Sequence, residues 1–380
     1  MGGGIIGSAM AMDLAREPFV EVSVADVRPE ALDRVAAKYG AGKVVADLSD
    51  PDVVKRVVEP FDIVLGAISS GLGYRTLRAV LEAGKNTCDV SFMAENALDL
   101  TDLAKERGAV AVVDCGIAPG MSNMMVGFAR AELDTCQSIE IYVGGLPVVR
   151  SWPFEYKVGF APHDAIEEYV RPARLVEHGK LVVREALSEP ELLEFPGVGT
   201  LEAFNTDGLR SLAYTLDAPF MREKTLRYPG HIEQMRVLRS IGLFSKDPVD
   251  LGGTPVVPLD LLAKLLFPKW TFEEGEEDLT VMRVIVDGMR DGEPRRYTWD
   301  LLDRYHQATS MRSMSRTTAF PATRVAMLLA NKTVREPGVY APEHLGKTPG
   351  LLASVLDGLA KRGIVFDAKV EEHQKTSAMG

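Results

Sequence analysis

The stretch Gly2-Gly3-Gly4-Ile5-Ile6-Gly7 opens the chain and leads directly into residues 8–16, which are able to form a helix. It satisfies the pattern G-x-G-x-x-G, in which backbone amides at a helix N-terminus bind the pyrophosphate of a dinucleotide. Because short glycine-rich runs also recur by chance, the motif needs support from its surroundings. The expected pyrophosphate contacts are Gly2, Gly4, Ile5, Ile6 and Gly7.

Asp26 provides such support. It lies 19 positions after Gly7 (26 − 7 = 19), at the end of the next apolar segment. A carboxylate at this place accepts hydrogen bonds from the adenosine ribose and repels a 2′-phosphate, so the spacing favours NAD over NADP. Arg28, two residues further on, is able to accept a phosphate and leaves NADP open. The alternative is an ordinary aspartate at a strand end.

The first 115 residues alternate apolar runs rich in β-branched side chains with segments of helical period. Consecutive βαβ units produce this rhythm, so we predict an α/β fold with a Rossmann-type parallel sheet. Gly40 and Gly84 are expected to end helices. The predicted strands are residues 20–25, 62–67, 86–90 and 110–113, and the predicted helices include residues 31–39 and 74–83.

The strand that ordinarily precedes such a glycine motif is missing from the sequence, because Met1 stands immediately before the glycines. Two explanations are open: a start codon assigned too far downstream, or a truncation that damages the cofactor site. We favour the first, which an apolar strand encoded in frame upstream would support.

Further cofactor contacts are expected where predicted strands end, since open parallel sheets present ligand-facing loops at that edge. The segment after the second predicted strand is one such loop, although a tight strand-to-helix turn explains it equally well. The expected contacts beyond the glycine motif and Asp26 are Val27, Ala67, Ile68, Ser69, Asp89 and Ala118.

From about residue 137 the pattern becomes that of a mixed α+β domain, with predicted strands at residues 138–143 and 180–184. Asp291-Gly292 separates two apolar segments, residues 279–289 and 294–301, and favours a tight hairpin turn because both residues tolerate positive φ. Residues 320–330 and 351–359 have helical character and are expected to pack on the first domain. The predicted divisions are a dinucleotide-binding domain at residues 1–122, an inserted catalytic and dimerisation domain at residues 123–315, and C-terminal helices at residues 316–380.

The composition narrows the function. With 43 basic and 54 acidic residues the net charge is −11, which disfavours nucleic acid and anionic membranes as partners. The three cysteines show neither metal-ligand spacing nor a disulfide framework, so we expect no metal. No apolar run approaches the roughly 20 residues needed to span a bilayer. We therefore expect a cytoplasmic protein.

Several segments at the ends of predicted strands resemble one family, the saccharopine dehydrogenase-like oxidoreductases, and most closely its NAD-dependent lysine 6-dehydrogenases. The resemblance extends over nearly the whole chain. The most specific segments are Asp-Cys-Gly-Ile-Ala-Pro-Gly-Met at residues 114–121, Lys-Thr-Leu-Arg-Tyr-Pro-Gly-His at residues 224–231 and Gly-Val-Tyr-Ala-Pro-Glu at residues 338–343. The resemblance implies a homodimer that oxidises the ε-amine of L-lysine with NAD, releasing ammonia and an aldehyde that cyclises to a piperideine carboxylate.

The chemistry implied by this resemblance assigns catalytic roles. An ε-ammonium group with a pKa of about 10.4 must lose a proton before hydride leaves the carbon bonded to it, and His231 is the candidate base. Asp114 is placed to stabilise the positive charge that develops and to orient the hydrolytic water. Lys224 is the third catalytic candidate. The alternatives are that His231 is a structural histidine and that Lys224 is an ordinary charge on a strand.

The substrate's α-carboxylate requires a cation, for which Arg227 is the first candidate. Lys224 and Arg227 face oppositely if their segment is extended, because they lie three residues apart. The other expected substrate contacts are Tyr156, Asn205, Thr206 and Arg316. Two rival functions stay open: a dehydrogenase of saccharopine or another secondary amine, whose added carboxylates Arg150, Arg171 and Arg174 would bind, and a nucleotide-binding relative without turnover.

Overall fold

The computed structural model describes residues 1–160 and 162–372 and divides into two compact units. Unit 1 comprises residues 1–134 and 315–366, whereas unit 2 comprises residues 135–314 together with the segment from residue 367. The first boundary between the units, after residue 134, thus lies 12 residues beyond the domain boundary predicted at residue 122 (134 − 122 = 12). The C-terminal segment is shared, because its helices belong to unit 1 and its last strand to unit 2.

Helices and strands alternate through unit 1 and are mixed in unit 2. The helices are α1 (Ile5–Leu14), α2 (Pro29–Tyr39), α3 (Pro51–Val58), α4 (Ser70–Glu82), α5 (Thr101–Arg107), α6 (Met121–Glu132), α7 (Pro162–Val170), α8 (Leu212–Thr215), α9 (His231–Ser240), α10 (Pro258–Trp270), α11 (Ser313–Ala330), α12 (Pro342–Gly346) and α13 (Leu351–Ala360). None of the described helices combines the length and apolar composition that crossing a membrane requires.

The strands follow the same chain order. They are β1 (Ser23–Asp26), β2 (Gly42–Val45), β3 (Ile63–Gly66), β4 (Asn86–Asp89), β5 (Val110–Val112), β6 (Thr135–Pro147), β7 (Ala173–Glu177), β8 (Lys180–Arg184), β9 (Glu191–Phe195), β10 (Gly199–Asn205), β11 (Phe220–Arg227), β12 (Val249–Leu251), β13 (Thr254–Val256), β14 (Asp278–Arg290), β15 (Glu293–Arg304), β16 (Gly338–Tyr340) and β17 (Asp367–Glu372).

The strands of unit 1 are parallel, which confirms the predicted Rossmann-type sheet. They form two groups, β1 with β2, and β16, β5, β4 and β3 in that order. Met1 and Gly2 join these groups: the Met1 amino group donates to the Leu65 carbonyl at 2.6 Å, and the Gly2 amide donates to the Ala25 carbonyl at 2.8 Å. Met1 and the first glycine of the loop therefore occupy the place between β1 and β3 where the predicted sheet lacks a strand.

The predicted elements of unit 1 form with small shifts, and two strands were not predicted. Strand β2 lies at a sheet edge with mostly exposed side chains, so it lacks the apolar run that marks a buried strand. Strand β16 is only three residues long. Gly40 and Gly84 adopt φ of +71° and +69°, which confirms their predicted places at helix ends.

Unit 2 is built on one mixed sheet in the order β17-β15-β14-β6-β11-β10-β9, with β7 pairing to β11 and β8 to β7. The predicted hairpin is confirmed: β14 and β15 pair up to Arg290 and Glu293, and Asp291 and Gly292 turn with φ of +54° and +79°. Helices α7, α9 and α10 cover one face of the sheet through an apolar cluster that includes Phe204 and Trp270. Strand β11 lies near the middle and positions the polar groups described below.

A buried ion cluster ties the C-terminal part of unit 1 to its first helix. Asp13 of α1 is 0% exposed, and its carboxylate binds Arg324 of α11 at 3.0 Å and Arg362 at 2.5 Å. Glu17 binds the same two guanidinium groups at 2.8 Å each. Because a buried carboxylate is costly without partners, α1 and the residues after α13 hold each other in place.

We expect replacement of Arg362 by alanine to lower the free energy of unfolding by about 3 kcal/mol, since Asp13 then keeps only part of its compensation. The control is Arg78→Ala, which removes an ion pair with Glu82 on the exposed side of α4 and is expected to cost no more than about 0.5 kcal/mol. Urea unfolding followed by circular dichroism measures both. Equal losses would show that the cluster does not anchor α1.

Candidate active site

The glycine loop of unit 1 leaves the N-terminus of α1 open. Its N-cap, Gly4, makes no side-chain capping bond, and a Cβ there would meet nothing within 4 Å. A Cβ on Gly7 would lie 1.8 Å from the Gly2 carbonyl oxygen, so the loop packs on the helix only with glycine at this position. The backbone amides of Gly4, Ile5 and Ile6 lie at this open end, where the helix dipole is positive. Such an arrangement suits a pyrophosphate.

Asp26 ends β1 beside this loop and is 7% exposed. It accepts the Gly3 amide at 2.7 Å, and Arg28 binds its two carboxylate oxygens at 3.0 and 3.1 Å. Burial by itself would raise the pKa of Asp26, but the hydrogen bonds from Arg28 and Gly3 outweigh burial and hold the pKa at about 2. The group is thus a permanent negative charge, and Val27 beside it is 60% exposed.

The loops after β3 and β4 complete this edge of unit 1. A Cβ on Gly2 would lie 2.3 Å from the Ala67 carbonyl oxygen, so the two loops touch. The Ile68 amide donates to the Ser91 hydroxyl at 3.3 Å, and Ser69 is the N-cap of α4. The predicted contacts Ala67, Ile68 and Ser69 therefore lie beside the glycine loop.

Asp89 and Asp114 lie at the carboxyl ends of the neighbouring strands β4 and β5. Burial raises the pKa of Asp89 to about 6, against the hydrogen bonds it accepts from Ser91 and with a further contribution from nearby Asp114. Asp114 is 6% exposed with φ of +52°, and the next residue, Cys115, donates its amide to the Asp89 carbonyl at 3.0 Å. Ala118 follows in the same loop before a cis proline. The carboxyl group of Asp114 thus lies near enough for its charge to influence the pKa of Asp89.

Strand β11 sorts the polar residues of unit 2 onto two faces of the sheet. Side chains alternate along a strand, so Arg227 and Lys224 point to opposite sides. Lys224 is 2% exposed, donates to the Glu189 carbonyl at 2.6 Å and pairs with Glu191 at 2.9 Å. Lys224 and Arg227 thus lie on opposite faces of the sheet, as their spacing indicates, and the catalytic grouping of Lys224 with Asp114 and His231 stays a prediction.

Arg227 is the centre of a buried polar cluster and is 2% exposed. Its guanidinium donates to the Tyr156 hydroxyl at 3.2 Å and the Tyr169 hydroxyl at 3.4 Å, and it forms an ion pair with Glu168. The Tyr156 ring lies 4.2 Å from the guanidinium carbon, within cation–π distance. These partners occupy the guanidinium, so Arg227 holds Glu168 and the tyrosines rather than presenting itself to a carboxylate of the substrate.

His231 joins the same cluster from the start of α9. Its Nδ1 lies 2.9 Å from the Phe154 carbonyl oxygen and its Nε2 lies 3.0 Å from the Tyr169 hydroxyl. Since a carbonyl only accepts, Nδ1 carries the proton and Nε2 accepts from Tyr169. Burial lowers the pKa of His231 to about 3, and the charge of Arg227 adds to this effect. His231 is therefore neutral with both nitrogens engaged, and it positions Tyr169 instead of serving as the predicted base.

Asn205 and Thr206 are adjacent at the end of β10. Like Lys224 and Arg227, their side chains point to opposite faces of the sheet. Asn205 donates to Glu189 at 3.0 Å, on the Lys224 side. Thr206 donates to Glu223 at 2.6 Å, on the Arg227 side. Burial raises the pKa of Glu223 to about 8, with nearby Glu168 and Asp207 contributing, which leaves an uncharged acid in the interior near neutral pH.

Arg316 belongs to unit 1, where it is 3% exposed and donates to the Arg362 carbonyl at 2.7 Å. Glu168 and Tyr169 were not singled out in the sequence, although they contact Arg227 directly. Their only sequence signal is a carboxylate next to the apolar stripe of an amphipathic helix, which is too common to indicate a site. Among the described residues, no group of three or more His, Cys, Asp or Glu is arranged to hold a metal ion.

Comparison with known proteins gives one family along the chain. The family model described as the saccharopine dehydrogenase NADP binding domain matches residues 1–112, and the model described as the saccharopine dehydrogenase C-terminal domain matches residues 116–364. Saccharopine dehydrogenase (NADP(+), L-glutamate-forming) of Schizosaccharomyces pombe is 21% identical, and the match covers 89% of that protein and 87% of this chain. Carboxyaminopropylagmatine dehydrogenase of Synechocystis is 23% identical, and the match covers 93% of that protein and 92% of this chain.

A solved structure shares the fold. The apo saccharopine dehydrogenase (L-Glu forming) from Saccharomyces cerevisiae matches with a TM-score of 0.80 at 17% sequence identity. The match covers 97% of this chain and 98% of that one. At this identity the likeness concerns the fold, and it agrees with the parallel sheet of unit 1 and the separate mixed sheet of unit 2.

The His231 environment predicts how stability depends on pH. Because its pKa falls from 6.5 to about 3 on folding, the unfolded chain binds the additional proton between these values, and stability is lost as the pH falls through this window. We expect His231→Asn to flatten the dependence of the unfolding free energy on pH between 6.5 and 4. The measurement is urea unfolding at a series of pH values.

The matched control is Tyr169→Phe, which removes the hydrogen bond to Nε2 but leaves the imidazole in place. This variant is expected to lose about 1–3 kcal/mol at every pH and to keep the wild-type slope. A wild-type slope in His231→Asn as well would contradict the assignment of a buried neutral histidine.

Proposed function

The chain belongs to the saccharopine dehydrogenase family, and we propose that within it the protein oxidises the carbon–nitrogen bond of the ε-amine of L-lysine with NAD as coenzyme. Membership makes it a pyridine-nucleotide oxidoreductase. The observation that carries the proposal is the open N-terminus of α1 at Gly4 beside the ionised Asp26. This arrangement fits a dinucleotide whose ribose hydroxyls hydrogen-bond a carboxylate, as in NAD.

An amine substrate suits the charges of unit 2. The carboxylate of Glu168 on α7, which contacts Arg227 of β11, complements an ammonium group, and the aromatic rings of Tyr156 and Tyr169 line the same cluster. The nicotinamide, when bound, supplies the acceptor for hydride. Asp114 at the carboxyl end of β5 is proposed to stabilise the positive charge that develops on the substrate carbon and to orient the water that hydrolyses the resulting iminium.

A second candidate is a secondary amine that bears an additional carboxylate, such as saccharopine. Its support is the group of Arg171, Arg174 and Arg210 around Asp207, in which the guanidinium charges influence one another. Arg174 binds both oxygens of Asp207 at 2.7 Å. Glu167 also pairs with Arg171, and three cations beside two carboxylates still leave one positive charge for a second anionic group on the substrate. The names of the two relatives described above agree with this candidate.

The deciding assay is the absorbance of reduced nucleotide at 340 nm with purified protein, NAD and L-lysine at alkaline pH. Saccharopine and L-ornithine, each with NAD and with NADP, are run in parallel. Turnover with lysine and NAD is the expected outcome. Turnover with saccharopine alone would replace the first candidate by the second. Binding of reduced nucleotide without turnover of any amine would indicate a non-catalytic relative.

Asp26 predicts the direction of a coenzyme switch. We expect Asp26→Ser to raise the ratio of kcat/KM for NADP to that for NAD by about tenfold or more, because the charge that repels a 2′-phosphate is removed. Steady-state kinetics with both coenzymes measures the ratio. The counterpart Arg28→Ala removes the neighbouring cation and is expected to move the ratio in the opposite direction. An unchanged ratio in Asp26→Ser would refute the selection of NAD by this residue.

A further inference from the structure

We propose that Glu168 is the residue of unit 2 that binds the substrate amine and accepts the proton that the amine loses before oxidation. This inference rests on the proposed amine dehydrogenation and deepens it. In this role Glu168 takes the place of His231, whose two ring nitrogens are engaged by Phe154 and Tyr169.

Glu168 is the member of the Arg227 cluster that reaches the surface. Its side chain is 20% exposed, whereas Arg227 and His231 are each 2% exposed. Oxygen Oε2 binds the Arg227 guanidinium, and oxygen Oε1 makes no hydrogen bond within residues 1–160 and 162–372. One oxygen is thus anchored in the interior, while the other is left to bind a ligand.

A continuous series of hydrogen bonds holds Glu168 from behind. The Phe154 carbonyl orients His231, which accepts from the Tyr169 hydroxyl, and Tyr169 in turn accepts from Arg227 Nε at 3.4 Å. Arg227 then donates to Glu168. Since each group is fixed by the next, the carboxylate is oriented before substrate binds, which is the condition for efficient catalysis by a charged group.

The charges around Glu168 suit a proton acceptor. Burial raises the pKa of Glu168, the Arg227 guanidinium on β11 opposes this rise, and Asp164 on the same helix adds to it. The charge of Glu168 in turn raises the pKa of Tyr156, Tyr169 and the carboxyl group of Glu223. A carboxyl group with a raised pKa is a stronger base than an ordinary surface carboxylate, and it still ionises at alkaline pH.

The proposed steps balance. The substrate ammonium gives one proton to the Glu168 carboxylate, which leaves a neutral amine. The C–H bond on the adjacent carbon then breaks as the nitrogen lone pair forms the C=N bond of an iminium ion, and a bound oxidised nicotinamide would accept the hydride. Water adds to this carbon, and the nitrogen leaves as ammonium with the protons that the water gives up, which leaves the aldehyde. Glu168, whose side chain is 20% exposed, returns its proton to solvent. In total the substrate carbon is oxidised and the nucleotide is reduced by two electrons.

Glu223 does not compete for this role. It is 3% exposed, and its carboxyl group receives the Thr206 hydroxyl at 2.6 Å. Its raised pKa of about 8 leaves it largely protonated near neutral pH. Its place is therefore the interior behind Glu168, where an uncharged acid avoids repulsion between two neighbouring carboxylates.

Glu168→Gln tests the proposal, with Glu167→Gln as the matched control on the same helix. Glu167 forms surface ion pairs with Arg171 and Lys246 and takes no part in the Arg227 cluster. We expect Glu168→Gln to lower kcat for the amine about 100-fold or more, because general base catalysis is lost. The acidic limb of its pH profile should disappear, while the Kd for reduced nucleotide stays within about twofold. Glu167→Gln should keep wild-type kcat and the acidic limb.

Wild-type kcat and an unchanged acidic limb in Glu168→Gln would overturn the proposal. If this variant does not fold, Glu168→Asp carries the test, because it keeps the charge of the ion pair and withdraws the oxygens by one methylene. A loss of about tenfold or more in kcat with a retained acidic limb is then expected, and full activity would refute the role.

Failure of the proposed function is distinguishable from failure of this inference. If the wild type turns over no amine, calorimetric binding of L-lysine, L-ornithine and saccharopine replaces kinetics, and L-norleucine, which lacks the ε-amine, is the reference ligand. Amine binding by wild type and Glu167→Gln, but not by Glu168→Gln, supports Glu168 as the amine site. Equal binding by all three proteins, or binding of no amine by any of them, overturns it.

Discussion

A guanidinium charge buried on β11 is the constraint on which the polar half of unit 2 depends. Arg227 is 2% exposed, so its charge must be compensated by protein groups instead of water. Glu168 supplies the opposite charge, and Tyr156 and Tyr169 supply acceptors. His231 then satisfies Tyr169. The cluster is therefore a consequence of one buried cation whose donors each require a partner.

The corresponding constraint in unit 1 is the close approach of the glycine loop to its neighbours. Gly7 leaves no room for a Cβ against the Gly2 carbonyl, and Gly2 itself lies against Ala67. This packing places the open end of α1 between Asp26 on one side and the loop after β3 on the other. Asp13, further along α1, is held by Arg324 and Arg362, so the helix that presents the cofactor amides is secured at both ends.

Much of the fold followed from local patterns. The parallel sheet, the helix ends at Gly40 and Gly84, and the hairpin at Asp291-Gly292 were predicted because periodicity and turn chemistry act over a few residues. Strand β2 was missed, since an exposed edge strand has no apolar run. The residues proposed to contact the cofactor lie along one edge of unit 1, because strand ends of a parallel sheet gather at one edge.

The sequence by itself determined the class of the chain, the dinucleotide edge of unit 1 and the opposite facing of Lys224 and Arg227, each through a pattern of fixed spacing. Only the tertiary structure decided the surroundings of His231 and Glu168. Burial, which depends on every element packed around a residue, turns His231 into a neutral support and raises the pKa of Glu168. No local spacing encodes burial, because Glu168 and Arg227 are 59 positions apart and meet only when α7 packs on β11.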